Sequence, residues 1–341
     1  MKATITDVAK RAGVSMKTVS RVLNNEPNVA RSTREHVKAI ASELNYSPNL
    51  AARGLASSKS YLMALIYDSP SPNYIAHIQR GAIDACRETG YHLVVEPISL
   101  GTNKTAEEKS NAIRLVMNRL RVDGVILTPP LCDSDAILET LAEYQIKCVR
   151  VSPKNSGFQP SITMDNETAA FEMTEYLLET GHKKIGFIKG HVSHADTMER
   201  YRGFMRAMEK AGLETPSCRT VQGDFTFHSG IEAARLLLSL KDEERPTAIF
   251  SSNDDMAAAV YLVAGQMGIS VPKELSVCGF DDTPLAQTIY PPLTTVRQPI
   301  YKMGYEAVHQ LARKPDDLKD AANILDFEIK VRDSVAPPAG S

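Results

Sequence analysis

Residues 12–24 read AGVSMKTVSRVLN, a short segment in which a glycine turn separates two amphipathic helical patterns. Before the turn, apolar side chains recur at helical spacing over residues 5–12, and after it they recur over residues 19–23. The glycine tolerates a tight turn, and the Ser15 hydroxyl is placed to cap the second helix. Two helices joined in this way form a helix-turn-helix, so the segment predicts an α-helical unit at the start of the chain.

A third helical pattern follows this pair. Apolar residues recur at helical spacing over residues 37–44, and Ser32 and Glu35 stand at the spacing of a capping box that begins a helix. We therefore expect three short helices to share one small core.

The charge of the chain is unevenly distributed. Residues 1–60 hold ten Lys and Arg against four Asp and Glu, a net charge of +6, whereas the remainder holds 29 against 37, a net charge of −8. A positive N-terminal module on an acidic body is typical of a protein that binds a polyanion such as nucleic acid. Surface charge that only keeps the module in solution is the alternative interpretation.

The polar side of the second helix carries side chains that suit DNA. From a helix in the major groove, Lys17 and Arg21 can reach guanine O6 and N7, and Met16 can contact a thymine methyl group. Other side chains suit phosphate contacts, which position a protein without reading sequence: Ser15, Thr18, Ser20, Asn24 and Ser32. A three-helix bundle without a ligand is the alternative.

Residues 46–60, YSPNLAARGLASSKS, have the composition of a linker. Asn49 is placed to cap a helix of about two turns that extends to Leu55. Because an isolated helix of that length is marginal in water, we expect it to form only when another surface packs against it.

From Tyr61 onward, continuous apolar runs alternate with amphipathic segments, as in LMALIY, DGVILTPP and VCGFDDT. This alternation is typical of parallel sheets with helices on both faces, and the number of strands predicts two doubly wound subdomains. Ligands of such folds bind beyond the carboxyl ends of the strands. The candidate residues at those ends are Asp68, Tyr74, Arg150, Phe225, Asn253, Asp254 and Asp281.

The segments ITDVAKRAGVSMKTVSRVLNN and LNYSPNLAARGLAS resemble the LacI/GalR family of bacterial transcription regulators, and GHKKIGFIKG, ERYRGF, SSNDDMA, VCGFDDT and YPPLTTVRQP extend the resemblance along the chain. It implies a helix-turn-helix headpiece at 1–46, a hinge at 47–60 and a body at 61–341 that binds an effector and dimerises. The implied body has the periplasmic-binding-protein type of α/β fold. Its implied subdomains are an N-subdomain, 61–161 and 292–323, and a C-subdomain, 162–291 and 324–341.

For DNA, the resemblance implies that residues 50–56 form a hinge helix on the operator, pair with a second subunit and insert Leu55 into the minor groove. An apolar wedge between base steps costs unstacking free energy, which contacts to the bent duplex can offset. Packing of Leu55 inside a structured linker is the alternative. The remaining expected DNA contacts are Thr4, Tyr46, Asn49, Ala52 and Arg53.

For the body, the resemblance places Arg200, Asn253 and Asp281 at ligand-binding positions, and these three types together can chelate adjacent sugar hydroxyls. It also places Phe225 where the family sets an aromatic ring against the ligand. The remaining expected ligand contacts are Asp68, Tyr74, Arg150 and Gln298.

These assignments have structural alternatives. Asp281 suits a helix cap, Phe225 a core position and Arg200 a surface helix. Arg150 departs from some relatives that have an acidic or apolar residue there. A second arginine indicates an anionic ligand, such as a sugar acid or phosphate, unless Arg150 only neutralises Asp281.

Other classes of function have weaker support. The five cysteines are widely spaced without a CxxC pair, which disfavours disulfide frameworks and zinc modules. His191, His194 and Asp196 have metal-ligand types but share one irregular loop, so cleft lining or solvation is favoured and no metal or other cofactor is expected. The chain has no nucleotide-binding or common hydrolase motif, and it has neither a signal-like start nor an apolar run that spans a bilayer.

We therefore predict a cytoplasmic, homodimeric transcription regulator, a repressor of carbohydrate-utilisation genes that binds a palindromic operator and a sugar or sugar derivative. The absence of a heptad tail favours a dimer over a helix-tethered tetramer. A sugar transport receptor of the same fold would need an export signal. An enzyme would need a catalytic acid/base pair at recognisable spacing, and none is found.

Overall fold

The computed structural model describes residues 3–23, 28–46, 59–100, 104–155, 160–313 and 323–339. The chain divides into two compact units, Met1–Tyr61 and Leu62–Ser341. Within the described ranges, no helix combines the length and hydropathy needed to cross a bilayer.

The first unit is α-helical. Val8, Val19, Val37 and Ile40 come from all three helices and form its core, as the helical spacing predicted. The helices are α1 (Ile5–Ala12), α2 (Met16–Leu23) and α3 (Arg31–Glu43).

The predicted capping box of α3 is wrong. The helix begins one residue before Ser32, at Arg31, and its N-cap residue Ala30 makes no side-chain cap. Glu35 instead accepts a hydrogen bond from Arg31 Nε at 2.9 Å. The ion pair one helical turn apart takes the carboxylate that the capping box needs.

The second unit contains two doubly wound lobes, as predicted, and the sheet of each lobe has six strands. The sheet of the first lobe has the strand order β11-β5-β4-β3-β1-β2, and all of its strand pairs are parallel. Its strands are β1 (Leu62–Tyr67), β2 (His92–Pro97), β3 (Gly124–Leu127), β4 (Lys147–Val151), β5 (Ser161–Thr163) and β11 (Asn323–Ile324). Its helices are α4 (Pro72–Thr89), α5 (Ala106–Arg119), α6 (Asp135–Glu143) and α12 (Ile300–Ala312).

The sheet of the second lobe has the order β12-β10-β9-β8-β6-β7, with only the β10–β12 pair antiparallel among its described pairs. Its strands are β6 (Ile185–Lys189), β7 (Thr220–Gln222), β8 (Ala248–Ser251), β9 (Ser276–Asp281), β10 (Thr294–Arg297) and β12 (Glu328–Lys330). Its helices are α7 (Asn166–Glu179), α8 (Ala195–Lys210), α9 (Phe227–Leu238), α10 (Asp254–Gln266) and α11 (Pro284–Thr288).

The chain passes from one lobe to the other after β5, after β10 and after β11. The expected subdomain boundaries shift accordingly. Residues 294–297 pair with β9 in the second sheet, so the boundary expected at 291/292 moves to the far side of Arg297. Ile162 and Thr163 pair with β11 in the first sheet, so the boundary expected at 161/162 moves beyond Thr163.

Candidate functional site

The first candidate surface is the helix-turn-helix of the N-terminal unit. Gly13 ends α1 with φ of 65°, a left-handed conformation that glycine adopts without steric cost. The Ser15 hydroxyl accepts a hydrogen bond from the Thr18 amide nitrogen at 3.1 Å, which satisfies an amide at the start of α2. The turn and the cap predicted from the sequence are both present.

Helix α2 buries one side and exposes the other. Val19 and Val22 are fully buried, whereas Met16 is 53% exposed and Lys17 and Arg21 are also exposed. An exposed helix face with two cations matches the width and the acceptor pattern of the DNA major groove.

The other predicted DNA contacts have varied environments. The Thr4 hydroxyl caps α1 and donates to the Asp7 carboxylate at 2.7 Å. Tyr46 packs against the core of the first unit, and Ser32 is exposed in the first turn of α3. The predicted hinge helix lies outside the described residues, as do Asn24, Asn49, Ala52, Arg53 and Leu55.

The second candidate site is a cleft between the two lobes, which we name the ligand cleft. Six of the eight predicted ligand contacts converge there: Tyr74, Arg200, Phe225, Asn253, Asp281 and Gln298. The cavity between them has a volume of about 20 Å³, which is room for about one water molecule. Little free space therefore remains between these side chains in this structure.

Arg200 is anchored at the base of the ligand cleft. Its side chain is 2% exposed and its guanidinium lies 3.8 Å from the centre of the Phe280 ring. It donates to the Asn166 amide oxygen at 3.1 Å, the Ser252 carbonyl oxygen at 2.6 Å and the Asp196 carboxylate at 3.2 Å. Arg200 is thus a buried, preoriented cation and not a surface helix residue.

Asp281 supplies a buried carboxyl group at the end of β9. Its backbone has φ of 121°, in the left-handed region, and Gln298 Nε2 donates to its Oδ1. Burial raises the pKa of Asp281 well above its ordinary value, and the nearby Arg200 guanidinium opposes that rise. Beside it, burial raises the pKa of Asp254 to about 7, although that carboxyl accepts hydrogen bonds from Thr283 and Thr295.

Phe225 presents the aromatic wall of the cleft. Its residue is 6% exposed and belongs to the hydrophobic core of the second lobe, so the core alternative and the cleft-lining prediction both apply. Gly190 makes room for the ring, because a Cβ atom at this position would lie 2.0 Å from Phe225 Cζ. An aromatic ring with carboxyl, amide and guanidinium groups around it can bind a hydroxyl-rich ligand.

Two predicted ligand contacts are not among the residues that line this cleft. Asp68 lines a neighbouring cavity and accepts a hydrogen bond from the Leu100 amide nitrogen at 2.9 Å. Arg150 is buried, and its charge lowers the pKa of Asp133 against the effect of burial. The cation that opposes the rise in the pKa of Asp281 is Arg200. The interpretation that Arg150 neutralises Asp281 stays an alternative.

Five further residues line the ligand cleft without having been predicted as ligand contacts: Ser69, Ser71, Pro129, His194 and Asp196. Ser69 is the second residue after β1 and follows Asp68, so a wider window after each strand would have included it. His194 and Asp196 were noted only as metal-like or cleft-lining types. Within the described ranges, no group of three or more His, Cys, Asp or Glu side chains is arranged to hold a metal ion.

The sequence matches two family models. Residues 4–49 match the model described as bacterial regulatory proteins, lacI family, and residues 174–335 match the periplasmic binding protein-like domain. The chain is 36% identical over 320 residues to catabolite control protein A of Priestia megaterium, with 92% of each chain covered.

Two solved structures share the whole fold. The transcriptional regulator CelR in complex with cellobiose has a TM-score of 0.71 at 30% identity, covering 97% of this chain and 99% of that one. The lac repressor dimer bound to operator and the anti-inducer ONPF has a TM-score of 0.77 at 26% identity, covering 98% and 100%. The similarity therefore extends over both units of the chain.

Proposed function

Because the chain belongs to the LacI family of bacterial regulatory proteins, and is thus a DNA-binding transcription regulator and not an enzyme, we propose that it represses carbohydrate-utilisation genes in the cytoplasm. In this proposal it binds a palindromic operator as a homodimer, and its affinity for the operator falls or rises when a sugar or sugar derivative binds. The observation that carries the proposal is the pairing of an exposed cationic recognition helix with a closed polar cleft on one chain.

The headpiece supports operator reading through α2. Lys17 and Arg21 are exposed on the face that a major groove would receive, and Met16 stands beside them. Hydroxyl groups around the helix supply phosphate contacts that set its register. The proposed DNA-contacting set is Thr4, Ser15, Met16, Lys17, Thr18, Ser20, Arg21, Asn24, Ser32, Tyr46, Asn49, Ala52, Arg53 and Leu55.

The ligand cleft supports a hydroxyl-rich effector. A hydroxyl group both donates and accepts hydrogen bonds, so adjacent sugar hydroxyls suit a site that holds Arg200, Asp281 and Asn253 together. Phe225 supplies an aromatic face for the apolar side of a sugar ring. The similarity to a regulator solved with cellobiose agrees with this class of ligand.

Exposed apolar side chains support the homodimer. Ile83 on α4 and Tyr301 on α12 are 37% and 41% exposed in the first lobe, and Leu236 on α9 and Leu262 on α10 are 61% and 42% exposed in the second. In a homodimer, a second copy would cover exposed apolar side chains of this kind on both lobes. A two-fold dimer in turn needs a two-fold site on DNA.

The effector acts in this proposal by shifting the population of two lobe arrangements. A sugar that binds the closed cleft more tightly than the open cleft favours closure, and closure changes how the two headpieces of the dimer are held. The direction of the response follows from which arrangement the operator prefers.

Selection of sites from a random DNA library by the full-length protein at about 0.15 M salt tests the proposal, since non-specific phosphate binding is partly suppressed there. We expect an enriched pseudo-palindrome, and its affinity should change when the ligand cleft is titrated with a panel of mono- and disaccharides. Enrichment of a single half-site would contradict the proposal that the protein binds its operator as a dimer. If no sugar of the panel changes the affinity for the enriched DNA site, the proposal of a carbohydrate effector is wrong.

A further inference from the structure

A second cavity lies where the chain passes between the lobes, and we name it the hinge cavity. Its volume is about 260 Å³, enough for a small metabolite. It is lined by both sides of the first crossover, including Met164 and Asn166, and by Ile324 next to the third crossover. Glu199 of α8 and Lys154 beyond β4 complete it from the two lobes. A molecule in this cavity therefore contacts both lobes at once.

Most charges around the hinge cavity are already matched. Glu167 accepts hydrogen bonds from Arg202 at 3.1 Å and from Arg206 at 2.7 Å. Asp165 accepts from the amide and the hydroxyl of Thr168 at 2.8 and 2.7 Å, which caps α7. The carboxylate groups of Glu167 and Asp165 therefore already accept hydrogen bonds from the protein, and few acceptor positions remain for a ligand.

Two lining charges of opposite sign are not matched in this way. Glu199 Oε2 accepts one hydrogen bond, from Asn166 Nδ2 at 3.2 Å, and its Oε1 receives none from the described part of the chain. Burial and the nearby Asp196 raise the pKa of Glu199, and the charges of Arg202 and Arg200 only partly offset that rise. Lys154 is exposed, and its charge opposes the rise in pKa that burial causes at Asp133. Its ammonium group forms no ion pair within 4.0 Å with any described residue. The cavity therefore offers one carboxylate, one ammonium group and apolar contact with Met164 and Ile324.

We propose that the hinge cavity binds a free apolar α-amino acid, whose ammonium group pairs with Glu199, whose carboxylate pairs with Lys154 and whose side chain covers Met164 and Ile324. Such a zwitterion supplies both missing charges in one small molecule. A sugar supplies neither, so the hinge cavity and the ligand cleft differ in the ligand class that they select.

The two sites share helix α8. Asn166 donates to Glu199 in the hinge cavity and accepts from Arg200 Nε in the ligand cleft at 3.1 Å. An amino acid that holds Glu199 therefore biases the position of Arg200 through one buried amide. Because coupling between two sites is reciprocal, the amino acid changes the affinity for the sugar effector by the same factor as the sugar changes the affinity for the amino acid. This regulatory consequence rests on the proposed function, whereas binding itself does not.

Calorimetry of the full-length protein with alanine, valine, leucine, isoleucine and methionine tests the site. We expect saturable binding of at least one of them. For that ligand, removal of the amino group or conversion of the carboxylate to an amide should weaken binding by about tenfold or more, because each removes a charge-assisted pair. No saturable binding of any of the five overturns the proposal.

Two variants separate the roles of the charges. Glu199→Gln keeps a hydrogen-bond acceptor for Asn166. It should lower the affinity for the intact amino acid and leave the affinity for the deamino analogue unchanged. Lys154→Gln should lower the affinity for the intact amino acid and leave the affinity for its amide unchanged. Glu209→Gln, an exposed change on the same helix, is the matched control. Binding that is indifferent to Glu199→Gln and Lys154→Gln overturns the proposed site.

The regulatory arm uses the operator selected as described above. The bound amino acid should shift the sugar concentration that half-releases the operator, and Glu199→Gln should abolish that shift. If no operator is found, the proposed function fails while the calorimetry still tests the hinge cavity. If an operator and a sugar response are found but no amino acid binds, the further inference alone fails.

Discussion

Asn253 donates from its side-chain amide to the carbonyl oxygen of Phe225 at 2.9 Å, joining two wall residues of the ligand cleft that lie on different loops. The same amide group caps α10, because Asn253 Oδ1 accepts a hydrogen bond from the Met256 amide nitrogen at 3.0 Å. Phe225 has φ of 69°, a conformation that L residues rarely adopt, so its backbone needs an external partner. The Asn253 side chain thus caps the helix α10 and also holds the backbone of Phe225 in the aromatic wall.

This double use predicts different results for two substitutions. Asn253→Ser retains a helix cap but removes the donor to Phe225, so we expect about 1 kcal/mol lower stability and a weaker sugar response. Asn253→Ala removes both contacts and should cost about 2 kcal/mol. Urea unfolding and operator-release titrations measure the two effects. Equal stability of the serine and alanine variants would contradict the capping role.

Gly190 should be intolerant of a single added methyl group. Gly190→Ala would place Cβ within 2.0 Å of Phe225 Cζ, so the ring has to leave its position in the cleft. We expect lost effector response with operator binding retained. The matched control is Gly265→Ala inside α10, where a Cβ meets nothing within 4 Å. That change should stabilise the protein by up to about 1 kcal/mol, and a normal sugar titration of Gly190→Ala would contradict the aromatic wall.

Local chemistry made the N-terminal unit predictable from the sequence. The glycine turn, the Ser15 cap and the helical spacing involve residues within one or two turns of each other, and the structure confirms them. The capping box of α3 failed because a competing local partner was overlooked: Arg31 lies four residues before Glu35 and takes its carboxylate.

The ligand cleft was only partly predictable. Strand ends mark the edge of a sheet where ligands bind, and that rule found Tyr74, Asn253 and Asp281. It does not tell which side chains at that edge turn toward the other lobe, and Arg150 is not among the residues that line the cleft. Contacts that join distant segments, such as Asn166 with Arg200, have no local signal in the sequence.

Stability should fall as pH rises through the mildly acidic range because of Asp254. Its pKa is about 7 in the folded protein and ordinary, near 4, in the unfolded chain, so the folded state binds the extra proton between these values. The contribution is therefore full below about pH 4 and is lost toward about pH 7, at up to about 1.4 kcal/mol per pH unit.

Asp254→Asn, which carries no charge at any pH, isolates this contribution. Urea unfolding followed by circular dichroism across the same pH range should show a shallower decline for the variant than for the parent protein. The comparison of the two slopes cancels the contributions of carboxyl groups distant from Asp254. The contribution of Asp281 does not cancel, because the Asp254 carboxylate raises the pKa of Asp281. Parallel slopes would mean that the pKa of Asp254 is the same in the folded protein and in the unfolded chain.

Lys17 should determine which bases are preferred and not only how tightly DNA is held. It is exposed in the first turn of α2, where side chains reach base edges in a helix-turn-helix complex. Lys17→Ala should therefore relax the preference at one position of each half-site and cost about 1–3 kcal/mol on the best site. Lys38→Ala on α3 removes another exposed cation and is the matched control. Site selection with both variants measures the difference: uniform weakening over all sequences by Lys17→Ala would reassign this side chain to phosphate contact, because a phosphate carries no sequence information.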